Sequence, residues 1–341
     1  MTDPSSRRYW LALHPDIRKP IGGAKQMHRL AEALTACGRQ ATVIQQQAAF
    51  HPGWFHSQVA TIALADWHQR TDLSPRRDVV VLPETFLPAL PRYAPGLPKL
   101  LFNQNGAYSF GLQAGDGFPS DPAQVLQLYR HPDLAHVLCI SRHDQQLLQQ
   151  GFGLGPERVS RLVNAIETDA FRPAGPKGRQ LAYMPRKNGR DAAIVAALLA
   201  QQPWFAGWRL QPIHGLPQAK VAKLLQRSLG FLAFGHPEGF GLPLAEAAAC
   251  GCALIGYSGL GGRELLQLAT EAGAGWEVAY GDWQGFVAGT QALLQRFERQ
   301  PQALAQGLQS LSQRVRATYA PEAMLQSVAQ ALPRWEAQLP S

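Results

Sequence analysis

Phe234-Gly-His-Pro-Glu-Gly-Phe-Gly-Leu-Pro-Leu-Ala-Glu-Ala-Ala-Ala-Cys-Gly251 is the stretch on which the fold turns. The apolar run 229–234 that leads into it has the length and composition of a buried strand. Three glycines and two prolines then make a turn, and an alanine-rich helical segment follows. Pro243, with its fixed φ and missing donor, suits a first helical turn, so a helix is predicted over 243–249 with its start beside Leu242. The backbone N–H groups of Gly239, Phe240 and Gly241 then form an anion site at a helix N-terminus, and glycine lets a ligand come close to the backbone. Glu238 lies in this loop and Glu246 about one turn inside the helix. A carboxylate beside an anion site is costly unless it accepts hydrogen bonds from neutral hydroxyls, which sugars and riboses supply in pairs. Alone, Glu246 reads equally as a carboxylate favoured by the helix dipole and Glu238 as a solvated loop acid. Their combination with the glycine turn points to a ligand.

The same strand, turn and helix rhythm extends both ways. Downstream of residue 178, strands are predicted over 180–184, 209–213 and 253–257, with helices over 191–200 and 218–227. Upstream, strands are predicted over 9–13, 41–44, 78–82, 99–102, 135–140 and 159–163. Gly22-Gly23 opens a helix between the first two, Met27, Leu30, Ala31 and Leu34 recur at helical spacing, and Cys37-Gly38 closes it. Short apolar runs alternating with helices indicate parallel sheets covered on both faces. The hydrophobic period lapses over 167–178, where Pro173, Gly175, Pro176 and Gly178 collect into a linker. The expectation is therefore an α/β chain of two doubly wound domains, 1–166 and 179–320. A final helical segment, 321–341, carries Met324, Leu325, Val328 and Leu332 on one apolar face and is expected to brace the N-terminal domain. Residues 105–122 form a loop with Tyr108, Phe110 and Phe118, long enough to be functional.

Composition sets the outer limits. With 341 residues, 46% apolar and 16% charged, the chain is globular and not disordered, collagen-like or coiled-coil. The net charge of +8 is spread evenly, with 16 basic and 12 acidic residues on each side of position 165. An even excess suits anionic small molecules or an anionic membrane surface, and without a basic stripe interleaved with aromatics no nucleic-acid partner is expected. Cys250-Gly-Cys252 lacks the spacing of a zinc knuckle, so Cys37, Cys139, Cys250 and Cys252 are expected to be thiols in a reducing compartment. The run 9–13 is shorter than a signal-peptide core, and no apolar stretch approaches the roughly 20 residues of a membrane span. The expectation is a cytoplasmic protein, with peripheral contact at the inner membrane face left open.

The run Glu238-Gly-Phe-Gly-Leu-Pro-Leu-Ala-Glu-Ala-Ala-Ala-Cys-Gly251 resembles the signature of retaining glycosyltransferases of the GT-B fold, classification family 4, with Glu238 and Glu246 in its paired-glutamate positions. That resemblance implies two Rossmann-like domains facing a central cleft. It also implies a nucleoside-diphosphate sugar as co-substrate, with no cofactor, held mainly by the C-terminal domain. Glu246 would meet the ribose hydroxyls, Glu238 the donor sugar, and the backbone of Gly239, Phe240, Gly241 and Leu242 the sugar–phosphate. Gly22-Gly23 is similar to the family's N-terminal glycine pair, which faces the donor phosphates and the acceptor, although alone it is a tight turn. Leu138-Cys-Ile-Ser-Arg142 and Val163-Asn-Ala-Ile-Glu-Thr-Asp-Ala-Phe-Arg-Pro173 resemble further family segments, the second with Ala165 in place of a glycine. Ser258-Gly-Leu-Gly-Gly-Arg-Glu264 resembles the family's glycine-rich loop before a glutamate, though the same glycines also suit a flexible connection. The likeness spans roughly residues 9–335.

Pro185-Arg186-Lys187-Asn188-Gly189-Arg190 ends the strand at 180–184. At the C-terminal end of a parallel strand such a cluster faces the ligand crevice. Arginine clamps phosphate oxygens bidentately and lysine adds a compact charge, so a diphosphate is the expected partner, with Arg186 first, Lys187 second and Arg190 open. Elsewhere the same three cations would be a solvated surface cluster. No Asp-x-Asp occurs, so no metal is expected, and leaving-group stabilisation falls to Arg186, Lys187 and the helix amides, beside Glu238. The resemblance implies retention of configuration, by attack from the face the leaving group departs. The two-carboxylate scheme of glycoside hydrolysis does not transfer to Glu238 and Glu246. A carbohydrate or lipid-linked acceptor, of the kind built into polysaccharide or lipopolysaccharide, is expected on the N-terminal domain, where His14, Glu84, Asn103 and Asn105 follow predicted strands. Side chains bonding nearby loop backbone fit those positions equally. His51 and His56 lack a third ligand for a metal. The alternatives are a nucleotide-sugar epimerase or phosphorylase on the same scaffold, or a non-catalytic sugar-nucleotide-binding subunit.

Overall fold

The structure, a computed structural model, describes residues 7–111, 119 and 121–340; Phe118 lies outside them. The chain divides into two compact units, Met1–Ala165 with Glu322–Ser341, and Ile166–Pro321.

The first unit runs β1 (Arg8–Ala12), α1 (Gly22–Ala36), β2 (Gln40–Gln45), β3 (Ala60–Ala63), α2 (Leu64–His68), β4 (Asp78–Pro83), β5 (Lys99–Asn103), α3 (Pro122–Leu128), β6 (Leu134–Cys139), α4 (Arg142–Gln146) and β7 (Val159–Arg161). Its seven strands lie in the order β3-β2-β1-β4-β5-β6-β7, all parallel. β4 is buried along its whole length, which is why 79–82 reads as an unbroken apolar run. Val80, Leu82, Leu101, Val137 and Trp10 meet on one face as the core. The order reverses between β1 and β4, the point at which doubly wound sheets open a crevice at their C-terminal strand ends.

The second unit runs β8 (Gly178–Tyr183), α5 (Gly189–Ala200), β9 (Arg209–Pro212), α6 (Gln218–Arg227), β10 (Ser228–Ala233), α7 (Leu242–Ala249), β11 (Ala253–Gly256), α8 (Arg263–Glu271), β12 (Gly275–Glu277), α9 (Trp283–Arg299) and α10 (Pro301–Thr318). Its five parallel strands follow the order β12-β11-β10-β8-β9, so the reversal falls between β8 and β10.

The last helix, α11 (Pro321–Glu336), buries Met324, Val328, Leu332 and Trp335, all but Pro321 falling in the first unit. Trp335 Nε1 donates to the Tyr9 hydroxyl (3.1 Å), which donates to Glu336 (2.7 Å), and Arg39 grips the same carboxylate through two nitrogens at 2.8 Å each. The hydroxyl and indole N–H enter the interior with partners, so burying these rings carries no polar penalty.

The strands β3 and β12 are absent from the sequence expectation. Both are short edge strands of four and three residues, paired on one side only and with largely half-exposed side chains. The four cysteines are free thiols, three of them buried. Among the described residues no helix is long and apolar enough to cross a membrane.

Candidate active site

At the reversal point of the second unit the ends of β8 and β10 lie side by side, with Tyr183 in register with Leu232. Beyond β10 the chain turns through 234–241 into α7. Gly241 precedes the helix at φ 84°, ψ 58°, a left-handed conformation that glycine adopts without steric cost, and no side chain caps the helix. Leu244 and Ala245 make the first helical bonds, both to the Gly241 carbonyl. The N–H groups of Gly239, Phe240, Gly241 and Leu242 donate to no protein acceptor among the described residues. They lie at the positive end of the α7 dipole. The Phe240 ring is 2% exposed and packs edge-on to Tyr319 at 4.9 Å, which leaves Phe240 its backbone N–H to offer a ligand.

The loop is held from two directions. On one side Glu238 N donates to Gly259 O (2.7 Å) and Gly261 N to Glu238 O (3.0 Å), a parallel bridge joining Glu238 to Leu260. The glycine-rich segment after β11 is therefore pinned against the Glu238 loop and is no loose connection. On the other side stands the segment after β8. Lys187 Nζ lies 3.0 Å from Pro237 O and 2.9 Å from Glu238 Oε2. The two side chains are 8% and 20% exposed, so the pair is largely withdrawn from water. Asn188 Nδ2 donates to Phe234 O (2.7 Å) and His236 O (3.1 Å). Arg186 and Arg190 are exposed, and Arg186 has no ion pair among the described residues. Lys187 is thus the cation in contact with the loop, while Arg186 and Arg190 are presented to solvent. The His236 ring stacks on Tyr280 at 4.1 Å and 17°, and its burial lowers its pKa. Glu246 sits half-buried on α7. The sequence reading missed Asn188; the signal was the Asn-Gly dipeptide at a strand end, since asparagine tolerates left-handed backbone.

In the first unit, Gly22 and Gly23 are the opening residues of α1, and Gln104 Nε2 donates to Gly23 O at 3.2 Å. His14 is half-buried, its Nε2 3.0 Å from the Tyr93 hydroxyl and its ring against Phe86. Glu84, Asn103 and Asn105 were open to two readings, facing a ligand crevice or bonding nearby loop groups, and the structure buries all three. Asn103 Oδ1 lies 3.1 Å from Ser109 Oγ and 2.9 Å from the Tyr129 hydroxyl. Asn105 caps the short 3-10 helix Gly106–Phe110 by accepting from Ala107 N. Glu84 accepts from the backbone of Gln104 (3.0 Å) and Asn105. For Glu84 and Asn105 the physical reason is that the turn after β5 buries backbone N–H groups, which need acceptors, and for Asn103 it is the buried Ser109 and Tyr129 hydroxyls.

A buried pair of acids results. Burial pushes Glu84 up to about 7, against its backbone donors, and burial pushes Asp144 up to about 8, with the Glu84 charge adding to the shift. Their stabilisation is complete below the unfolded values and is lost as pH rises through 7 and 8. His28 and His136 run the other way, since burial lowers both to about 4, and their contribution disappears as pH falls from 6.5 through 4. Between about pH 6.5 and 8 the buried acids ionise in the folded state, Glu84 near 7 and Asp144 near 8, so the melting temperature should fall across that interval and level off above it. Glu84→Gln should flatten that alkaline limb in a thermal melt series; an unchanged limb would contradict the assignment.

No family model matches this chain. One relative, an alpha-1,6-glucosyltransferase of Actinobacillus pleuropneumoniae serotype 7 (strain AP76), is 28% identical over 189 residues, a match spanning 54% of this chain and 53% of the relative. Among solved structures, sucrose-phosphate synthase from Thermosynechococcus elongatus superposes with a TM-score of 0.70 at 14% identity, covering 97% of this chain and 99% of that one. Anabaena HepE in complex with UDP-glucose gives 0.68 at 12% identity, covering 96% and 99%. WaaG, a glycosyltransferase involved in lipopolysaccharide biosynthesis, gives 0.65 at 14% identity, covering 94% and 98%. With two parallel doubly wound sheets matched over nearly its whole length, the chain has the GT-B glycosyltransferase fold.

Proposed function

We propose that this chain is a glycosyltransferase that moves a sugar from a nucleoside diphosphate to a carbohydrate or lipid-linked acceptor, retaining the anomeric configuration. The observation that carries the proposal is the convergence, on one loop of the second unit, of the amides of 239–242, which donate to no acceptor among the described residues, with the Lys187–Glu238 pair, whose lysine follows the exposed Arg186 in the chain. In this reading the amides and Arg186 hold the diphosphate and stabilise the charge that grows on it as the glycosidic bond breaks. Glu238, fixed by Lys187, accepts hydrogen bonds from the donor sugar, and Glu246 from the ribose. Acceptor attack comes from the face the diphosphate leaves, with a phosphate oxygen taking the acceptor proton. The UDP-glucose in the HepE structure and the glucosyl transfer named for the Actinobacillus relative support a glucose-type donor, and WaaG supports a lipopolysaccharide acceptor.

Radiolabelled UDP-glucose incubated with the purified protein and lipopolysaccharide core oligosaccharides should leave label in the oligosaccharide fraction as an α-linked residue. Label found only in an epimerised nucleotide sugar, or in glucose 1-phosphate formed on adding phosphate, would overturn the proposal.

A further inference from the structure

We infer that Asn188 is a positioning residue for sugar transfer, the tie that fixes the segment carrying Arg186 and Lys187 against the loop carrying Glu238; this role rests on the proposed glycosyltransferase activity. Asn188 occupies the position before α5 at φ 52°, ψ 45°, yet its side chain makes no capping bond to that helix. An asparagine at a helix start ordinarily spends its oxygen on the helix's own N–H groups. Here the amide nitrogen is directed sideways instead, and its two hydrogens go to two carbonyls of the neighbouring strand's loop, Phe234 O and His236 O.

The next carbonyl along, Pro237 O, is held by Lys187 Nζ, which also pairs with Glu238. Two consecutive residues after β8 thus grip three of the four carbonyls from 234 to 237. Their Cα atoms are only about 3.8 Å apart, so the grip sets the spacing of the two segments rigidly. The same loop continues directly into the α7 amides. Only asparagine, aspartate and glycine enter left-handed backbone readily, and of these only asparagine can also donate to two carbonyls. Without the tie, two carbonyls lose their partner and the spacing between Lys187 and the α7 N-terminus is free to drift. A displacement near 1 Å at reacting groups is enough to cost about 10²-fold in rate.

Asn188→Gly tests this, because glycine keeps the left-handed backbone and removes the side chain with its two donors. The probe is whichever of the UDP-, GDP- and ADP-sugars the wild type turns over fastest. The expected result is a kcat lowered about 10- to 100-fold with KM for the nucleotide sugar changed less than about 3-fold, together with faster amide exchange over 235–241. Asn188→Asp, which keeps the shape but cannot donate, should lose at least as much. A kcat within twofold of wild type in Asn188→Gly overturns the role, and so does a loss confined to KM. Should the wild type turn over no nucleotide sugar, the glycosyltransferase proposal fails; unaltered exchange over 235–241 in Asn188→Gly refutes the tie in that event too.

Discussion

Lys187→Ala is expected to lower turnover of the nucleotide sugar by about 10²–10³-fold, the loss typical of removing one preorganised electrostatic group from an active site. Two effects combine. Lys187 Nζ contacts both Pro237 O and Glu238 Oε2, so its removal frees the loop and leaves a carboxylate only 20% exposed without its cation. An uncompensated negative charge then stands where further negative charge must develop on the leaving phosphate. Breaking a charge-assisted contact of this kind also costs about 1.5–3 kcal/mol of stability, which a thermal melt separates from the kinetic loss. Lys187→Arg should recover only part of the rate, because a planar guanidinium cannot take the place of a compact ammonium between one carbonyl and one carboxylate. Steady-state kinetics of both variants check the claim, and near-normal kcat in Lys187→Ala would refute it.

Gly261→Ala should be nearly as damaging although position 261 carries no functional group. A methyl there would run into the carbonyl of Gly239 and stand 2.6 Å from Glu238 O. These are backbone atoms of the site loop, and Gly261 N already donates to Glu238 O at 3.0 Å, so neither side can move without the other. Relief requires the Glu238–Gly239 backbone to shift by roughly 1 Å, with an expected loss of about 10²-fold in turnover and an overpacking cost of about 1–3 kcal/mol. A crystal structure of the variant should show the loop displaced. A fully active Gly261→Ala enzyme would mean that this loop's position does not matter to the chemistry.

The contrast between Lys187 and Gly261 shows what the sequence carried and what it did not. The alternation of apolar runs and helices was legible because parallel strands such as β4 are buried on both faces, and the start of α7 was legible because Pro243 and Gly241 admit few other conformations. Position after a strand drew attention to Lys187 and the glycines of 258–262, and the structure sets both against the loop that carries Glu238. The direction of a side chain was not legible in the same way. Glu84, Asn103 and Asn105 sit at strand ends as expected, yet the buried N–H groups of the turn after β5 draw Glu84 and Asn105 inward, and Ser109 and Tyr129 do the same for Asn103. Part of that outcome depends on contacts distant in sequence, Glu84 with Gln104 20 residues away and Asn103 with Tyr129 26 away. Asn188 escaped notice for a related reason: its partners lie 46 and 48 residues further along the chain.

Calorimetric titration of the whole protein with UDP, GDP and ADP examines the strand-end site of the second unit most directly. One of the three should bind with 1:1 stoichiometry, and Arg186→Ala and Glu246→Ala should each weaken it by about 10-fold or more, as loss of a charge-assisted hydrogen bond implies. Failure of all three nucleotides to bind, or equal affinity in wild type and both variants, would contradict a diphosphate site at this place.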